Sequence, residues 1–103
     1  MIRHCVFLKF RDEISNSDKQ AIYDKLNRLR DHLRGVVNAS FGTNVSPEGM
    51  GRGFEDGFTM DFVDAAARDH YLEDPEHRKV GAEMVAMLEG GREEGLAVFD
   101  LEV

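Results

Sequence analysis

The chain has 103 residues, 42% of them apolar and 32% charged, and a formal net charge of −7. That length suits one domain with a modest core, and the apolar runs fall well short of the ~20 residues a membrane span needs. The acidic balance argues against nucleic-acid binding, which needs clustered Lys and Arg to neutralise phosphates.

In chain order, residues 2–10 alternate with the period of a strand. Ile2, His4, Val6, Leu8 and Phe10 share one face, and Arg3, Cys5, Phe7 and Lys9 the other. This stretch resembles a secretory leader only superficially, since Arg3, His4 and Lys9 break it and no small-residue cleavage site follows. The single cysteine, Cys5, cannot form an internal disulfide and reads as a small buried hydrophobe. Both features make the cytoplasm the expected location. RDEISNS then supplies turn chemistry, and Ser17 with Gln20 has the spacing of a capping box, which predicts a helix from that point. Ile22, Leu26, Leu29 and Leu33 recur at helical spacing with Tyr23 flanking the stripe, and Gly35 is placed to close the helix.

VVNASFGTNV predicts a second strand, with Val37, Ala39, Phe41, Thr43 and Val45 on its apolar face. SPEGMGRGFEDG has four glycines and one proline in twelve residues and reads as a loop between strands. FTMDFV is a third strand with Phe58, Met60 and Phe62 together. Asp64 is placed to cap a short helix, AAARDHYLE. Asp74 then reads as a new N-cap and Pro75 as the first residue of a further helix, whose apolar side carries Val80, Met84, Val85 and Leu88. GGREEG stops that helix before a last strand, LAVFDLEV.

The order strand–helix–strand–strand–helix–strand, with the last helix broken at Pro75, predicts one α+β domain over residues 1–103. It is a ferredoxin-like βαββαβ sandwich, an antiparallel four-stranded sheet with helices on one face. The uncovered face should carry Cys5, Phe7, Ala97, Phe99, Leu101 and Val103. An apolar patch of that size needs a cover, and the expected one is a second copy, giving a homodimer through the open sheet face. Arg3, Lys9, Thr59 and Asp61 on the same face imply a partly polar interface.

On the covered side, spacings of 3, 7 and 11 residues place His77 in line with Val80, Met84 and Leu88. Tyr71 lies one turn before the break, His4 shares a face with Val6 and Leu8, and Asp100 shares one with Leu96 and Val98. The first and last strands are antiparallel neighbours in this fold, so His4 and Asp100 should meet. His4, Tyr71, His77 and Asp100 would then converge at one end of an apolar interior, the usual form of a small-molecule site. Such a set suits proton transfer. A neutral imidazole acts as base, a Tyr hydroxyl polarises a carbonyl, and a carboxylate orients a His through its second nitrogen. At His77 the helix dipole favours the neutral ring, whereas Asp74 and Glu76 favour the charged one. Each residue alone has an ordinary structural reading, as a cap or a satisfied core histidine. His32 and His70 read as helix-surface residues, and the inward histidines lack a spacing that marks a metal site.

MIRHCVFLKFRDEIS, GTNVSPEGMGRGFEDGF, YLEDPEH and VFDLEV, in that order from Ile2 to Val103, resemble the stress-responsive A/B barrel (dimeric α/β barrel, Dabb) family. The resemblance implies a ferredoxin-like protomer and a homodimer whose sheets form a barrel. It extends distantly to the olivetolic acid cyclase-like polyketide cyclases, which work without a cofactor by intramolecular aldol condensation. It implies catalytic roles for Tyr71 and His77, with His4 and Asp100 in the pocket. Ile22, Tyr23, Leu26, Val6 and Leu8 would form the wall, joined by Met84 from the inward stripe. Two positions depart from the pattern: Asp74 stands where the family turn commonly has His, and Asp56 where the cyclase has His.

Three functional readings follow. One is a cofactor-free lyase or cyclase acting on a small carbonyl compound, with His77 as base, Tyr71 as carbonyl partner and His4 with Asp100 in support. Another is a cofactor-free monooxygenase, which rests on barrel architecture alone. The third is a non-enzymatic, stress-associated dimer that binds a small organic ligand or serves a structural role.

Overall fold

The structure, a computed structural model, describes every residue from Met1 to Val103. Strands β1 (Ile2–Leu8), β2 (Val36–Thr43), β3 (Asp56–Phe62) and β4 (Leu96–Glu102) form one antiparallel sheet in the order β2-β3-β1-β4. Helices α1 (Asn16–Arg28), α2 (Ala65–Glu73) and α3 (Pro75–Val85) and a short α4 (Gly91–Gly95) complete the fold. This is the ferredoxin-like α+β sandwich that the order of elements predicts.

The core is built from the alternate faces of strands and the stripes of helices. Val6, Leu8, Phe58, Met60 and Phe62 from the sheet join Ile22, Tyr23, Leu26, Tyr71, Val80 and Met84 from the helices in a cluster of 15 buried residues. Leu8, Met60 and Phe62 have no exposed surface; burying each such side chain stabilises by roughly 1.5–3 kcal/mol. β1 is central, so it pairs on both sides, and its register sets Met60, His4 and Asp100 directly opposite one another.

Three local details differ from the sequence expectations. Ser15, not Ser17, caps α1, its hydroxyl accepting the Asp18 N–H at 3.1 Å. Gln20 reaches instead along the helix to Asp24. α1 passes at Arg28 into a tighter helical turn over Leu29–Asp31, and Gly35, at φ +85°, turns the chain into β2 rather than closing the helix. In β2 the register shifts between Val36 and Asn38, so Val36, Ala39 and Phe41 pack on the core. Val37 is pushed out by that bulge and Val45 lies beyond the strand, both exposed.

The sheet's other face has no helix over it. Phe99, Leu101 and Val103 are about half exposed there, and Phe7 leans on Phe99 with ring centroids 5.4 Å apart. Arg3 and Asp61 neutralise each other on this face through two hydrogen bonds, 2.9 and 3.1 Å long. No helix of the chain is long and apolar enough to cross a membrane.

Candidate functional site

Asp74 organises the site. It ends α2, and its extended backbone (φ −61°, ψ 127°), the conformation favoured before a proline, breaks the helix direction. Its carboxylate accepts the His77 N–H at 3.0 Å, which starts α3. The break brings the last turn of α2 against the first turn of α3, so that Tyr71 and His77 meet with ring centroids 4.0 Å apart, inclined at 40°. On Tyr71's other side stands His4, edge-on at 5.8 Å. Phe62 closes the group, 5.1 Å from Tyr71 and 6.2 Å from His4.

Asp100 lies opposite His4 in the β1–β4 ladder and their side chains meet, Nδ1 to Oδ1 at 2.7 Å. Arg68, one turn before Tyr71 on α2, donates to the other carboxylate oxygen. Burial alone would raise the Asp100 carboxyl, but hydrogen bonds from His4 and Arg68 hold it below its usual range. A carboxylate only accepts, so Nδ1 of His4 donates, and the Nε2 lone pair of a neutral ring is left for other work. The four predicted residues therefore form one contiguous array, Asp100–His4–Tyr71–His77.

Burial sets the protonation states. His77 is half-buried, and burial first, then the nearby His4, pushes its imidazole below the ordinary value, outweighing the Leu72 backbone and Asp74, which favour the charged ring. Burial raises the Tyr71 phenol far above its ordinary value, so it stays protonated. Tyr71 Oη and His77 Nδ1 are both buried without a hydrogen-bond partner. Most buried polar atoms in folded proteins are paired, and these two, on touching rings, are exceptions.

The residues expected to wall a pocket, Val6, Leu8, Ile22, Tyr23, Leu26 and Met84, are all buried members of the packed core. None of them lines the cavity over the open sheet face or the one between α1 and α3. Tyr23 is the outlier among them. It packs against Phe10, Phe41 and Phe58, and its hydroxyl is also buried and unpaired. Burial and the charge of Asp56 raise its phenol. Asp56 itself is held by Lys19 at 3.1 Å.

Arg68 escaped the sequence analysis. Arg68's spacing of three from Tyr71 was the available signal. His32 is exposed, as expected, and its Nε2 stands 3.2 Å from the Asp74 carboxylate, linking the chain after the Leu29–Asp31 turn to the cap of α3. No group of three His, Cys, Asp or Glu side chains is arranged to hold a metal ion.

The fold and the array define a ferredoxin-like protein with a cluster of titratable side chains under its helices. The chain belongs to the family described as the stress responsive A/B barrel domain, Dabb, which it matches over residues 2–103. It superposes on a dimeric ferredoxin-like protein of unknown function from Jannaschia sp. CCS1 with a TM-score of 0.89 and 29% identity, covering 99% of this chain and 98% of that one. A hydroxynitrile lyase from Passiflora edulis aligns at 18% identity and a TM-score of 0.84, over 99% of this chain and 92% of that one. A Dabb family protein from Mesorhizobium loti aligns at 22% identity and 0.75, over 99% and 95%. The last two are likenesses of fold. No curated protein matches the sequence.

Proposed function

We propose that the chain is a homodimer that binds a small carbonyl compound at Tyr71, His77, His4 and Asp100 and transfers a proton on it without a cofactor, as a lyase or cyclase. One observation carries this reading: Tyr71 Oη and His77 Nδ1 are buried and unpaired, on rings whose centroids lie 4.0 Å apart. Each unpaired buried group costs about 1–3 kcal/mol, and a substrate carbonyl and its acidic α-hydrogen are complementary to them.

The chemistry follows from the protonation states. His77, kept neutral, takes the hydrogen next to the carbonyl, and the C–H electron pair moves onto the carbonyl oxygen. Tyr71, kept protonated, donates its O–H to that oxygen as charge develops. The enolate carbon then attacks a second carbonyl of the same molecule and the proton passes from His77 to the new alkoxide, so all substrate atoms are retained. Asp100, fixed by Arg68, orients His4 beside the phenol. The Passiflora lyase lends support as an analogy of fold. The homodimer is supported by the half-exposed Phe99, Leu101 and Val103 and by the dimeric description of the Jannaschia protein. The test is turnover of a panel of β-dicarbonyl and polyketide-like substrates by the wild type and by His77→Ala. Activity that survives unchanged in the variant removes His77 from the mechanism.

The non-enzymatic reading draws on a different observation, the tight packing of Val6, Leu8, Ile22, Tyr23, Leu26 and Met84 where a pocket wall was expected. Under it, His77→Ala and Tyr71→Phe change stability and leave every ligand interaction as it was.

A further inference from the structure

Asp74 is the node through which both members of the Tyr71–His77 pair are held. Its backbone N–H donates to the Tyr71 carbonyl at 3.3 Å, and its own carbonyl accepts the Arg78 N–H at 3.0 Å. Its Oδ2 accepts the His77 N–H at 3.0 Å. α2 and α3 thus join at one residue, with no loop between them. Two soft dihedrals at that residue set the angle between the helices and, with it, how the two rings meet. Pro75 brings no N–H to the joint, so the first turn of α3 depends on Asp74 for its hold.

One side chain grips the Asp74 carboxylate. His32, on the segment after the Leu29–Asp31 turn, has its Nε2 3.2 Å from both carboxylate oxygens. Burial alone would raise the Asp74 carboxyl, but the His77 N–H and His32 hold it below its usual range. The carboxylate therefore only accepts, and Nε2 of His32 donates. The Asp74 side chain is 14% exposed and that of His32 47%. Lys25, Arg28, Glu76, Lys79 and Glu83 line the cleft beside His32 between α1 and α3. Lys25 pairs with Glu83 at 2.9 Å, and none of the five is bonded to the His32 ring or the Asp74 carboxylate. A contact as open as this adds little to stability. What it supplies is a fixed point, tying the joint between α2 and α3 to the end of α1.

We infer that His32 is a positioning residue for the Tyr71–His77 pair: by holding Asp74 from outside, it fixes the joint between α2 and α3 and so the 4.0 Å approach of the two rings. The inference rests on the reading of that pair as the acid–base site. His32 is bonded to neither ring and acts through Asp74. A base works only where it is placed, and a displacement of about 1 Å can cost about 10²-fold in rate.

The test compares the wild type with His32→Ala, which removes the donor, and His32→Gln, which keeps a neutral donor in place of Nε2. NMR titration of the His77 ring reads its surroundings without any substrate. The charged and titratable groups that act on that ring, His4, Asp74 and Arg78, are the same in all three proteins. In His32→Ala the His77 midpoint should rise toward the ordinary value as the ring loosens from its buried place. In His32→Gln it should stay where the wild type has it. In α-hydrogen exchange of a methyl ketone, His32→Ala should lose about ten- to a hundredfold at saturating ketone with KM little changed, and His32→Gln should recover most of that loss. A wild-type His77 midpoint in His32→Ala overturns the inference, whatever happens to the melting temperature. So does a midpoint displaced equally in both variants, since that traces the effect to lost charge rather than lost anchorage. Should His32→Ala fail to fold, His32→Gln decides: a wild-type midpoint supports the inference, and a displaced one overturns it. A wild type that exchanges no α-hydrogens fails the acid–base reading alone, because the His77 titration still decides whether His32 positions the ring.

Discussion

The Tyr71 and His77 rings touch at a centroid separation of 4.0 Å, and each carries a buried polar atom without a partner. Phenylalanine at position 71 would pack in the same place without the desolvation cost of the hydroxyl.

Tyr71→Phe should therefore raise stability or leave it unchanged, by up to about 1 kcal/mol in denaturant unfolding, while abolishing any turnover. Tyr71→Ala should cost about 3–5 kcal/mol, because it empties a side chain that is 1% exposed. A Tyr71→Phe protein that melts well below the wild type would mean the hydroxyl has a partner inside the protein.

His77 ties stability to pH. Its folded value lies below the ordinary 6.5, so between the two values the unfolded chain binds more proton than the folded one. Stability should then rise with pH through that window and level off above it. Urea midpoints measured from about pH 5 to about pH 8 should show that slope in the wild type and a smaller one in His77→Gln. Equal slopes would place the coupling elsewhere.

Asp100 is the only side chain bonded to His4, which is 5% exposed. Asp100→Ala strands that imidazole and should cost about 1–3 kcal/mol; Asp100→Asn keeps a partner for Nδ1 and should cost less. Chemical denaturation of the two variants side by side checks the order.

Two glycines make an opposing pair. Gly35 sits at φ +85°, and a Cβ there would lie 2.6 Å from Ala67 Cβ and 2.7 Å from Val63 Cγ1. Gly35→Ala should destabilise by more than about 1 kcal/mol. Gly42 meets open space in an extended strand, so Gly42→Ala should be neutral or stabilise by up to about 1 kcal/mol. Thermal melts of both variants test this.

The half-exposed Phe99 and Leu101 give the dimer its own check. Phe99→Asp should convert a homodimer to a monomer by light scattering, and a wild type that is already monomeric contradicts the dimer outright.

Much of this was legible in the sequence because it is local or topological. Alternation in β1, the caps at Asp64 and Asp74, and the Asp74–Pro75 break are written in a few adjacent residues. The meeting of His4 with Asp100 follows from which strands are neighbours. What escaped depended on side-chain reach and on backbone defects. Arg68 shares a helix face with Tyr71, but its contact with Asp100 depends on how far the guanidinium extends from α2 toward β4. The bulge at Val37 reverses which face of β2 its early residues present. The packed core behind the expected pocket wall was equally out of reach, since apolar spacing is the same whether a cavity lies between the side chains or not.

Proton abstraction next to a carbonyl can be observed without knowing the physiological substrate. A simple methyl ketone, 4-phenyl-2-butanone, incubated with the protein in deuterated buffer and followed by NMR, reports exchange of its α-hydrogens directly. The wild type should accelerate that exchange over buffer, and His77→Ala should lose about 10²-fold or more of the acceleration, the usual contribution of a positioned base. Exchange at the same rate in wild type, His77→Ala and buffer would contradict an acid–base role for the Tyr71–His77 pair.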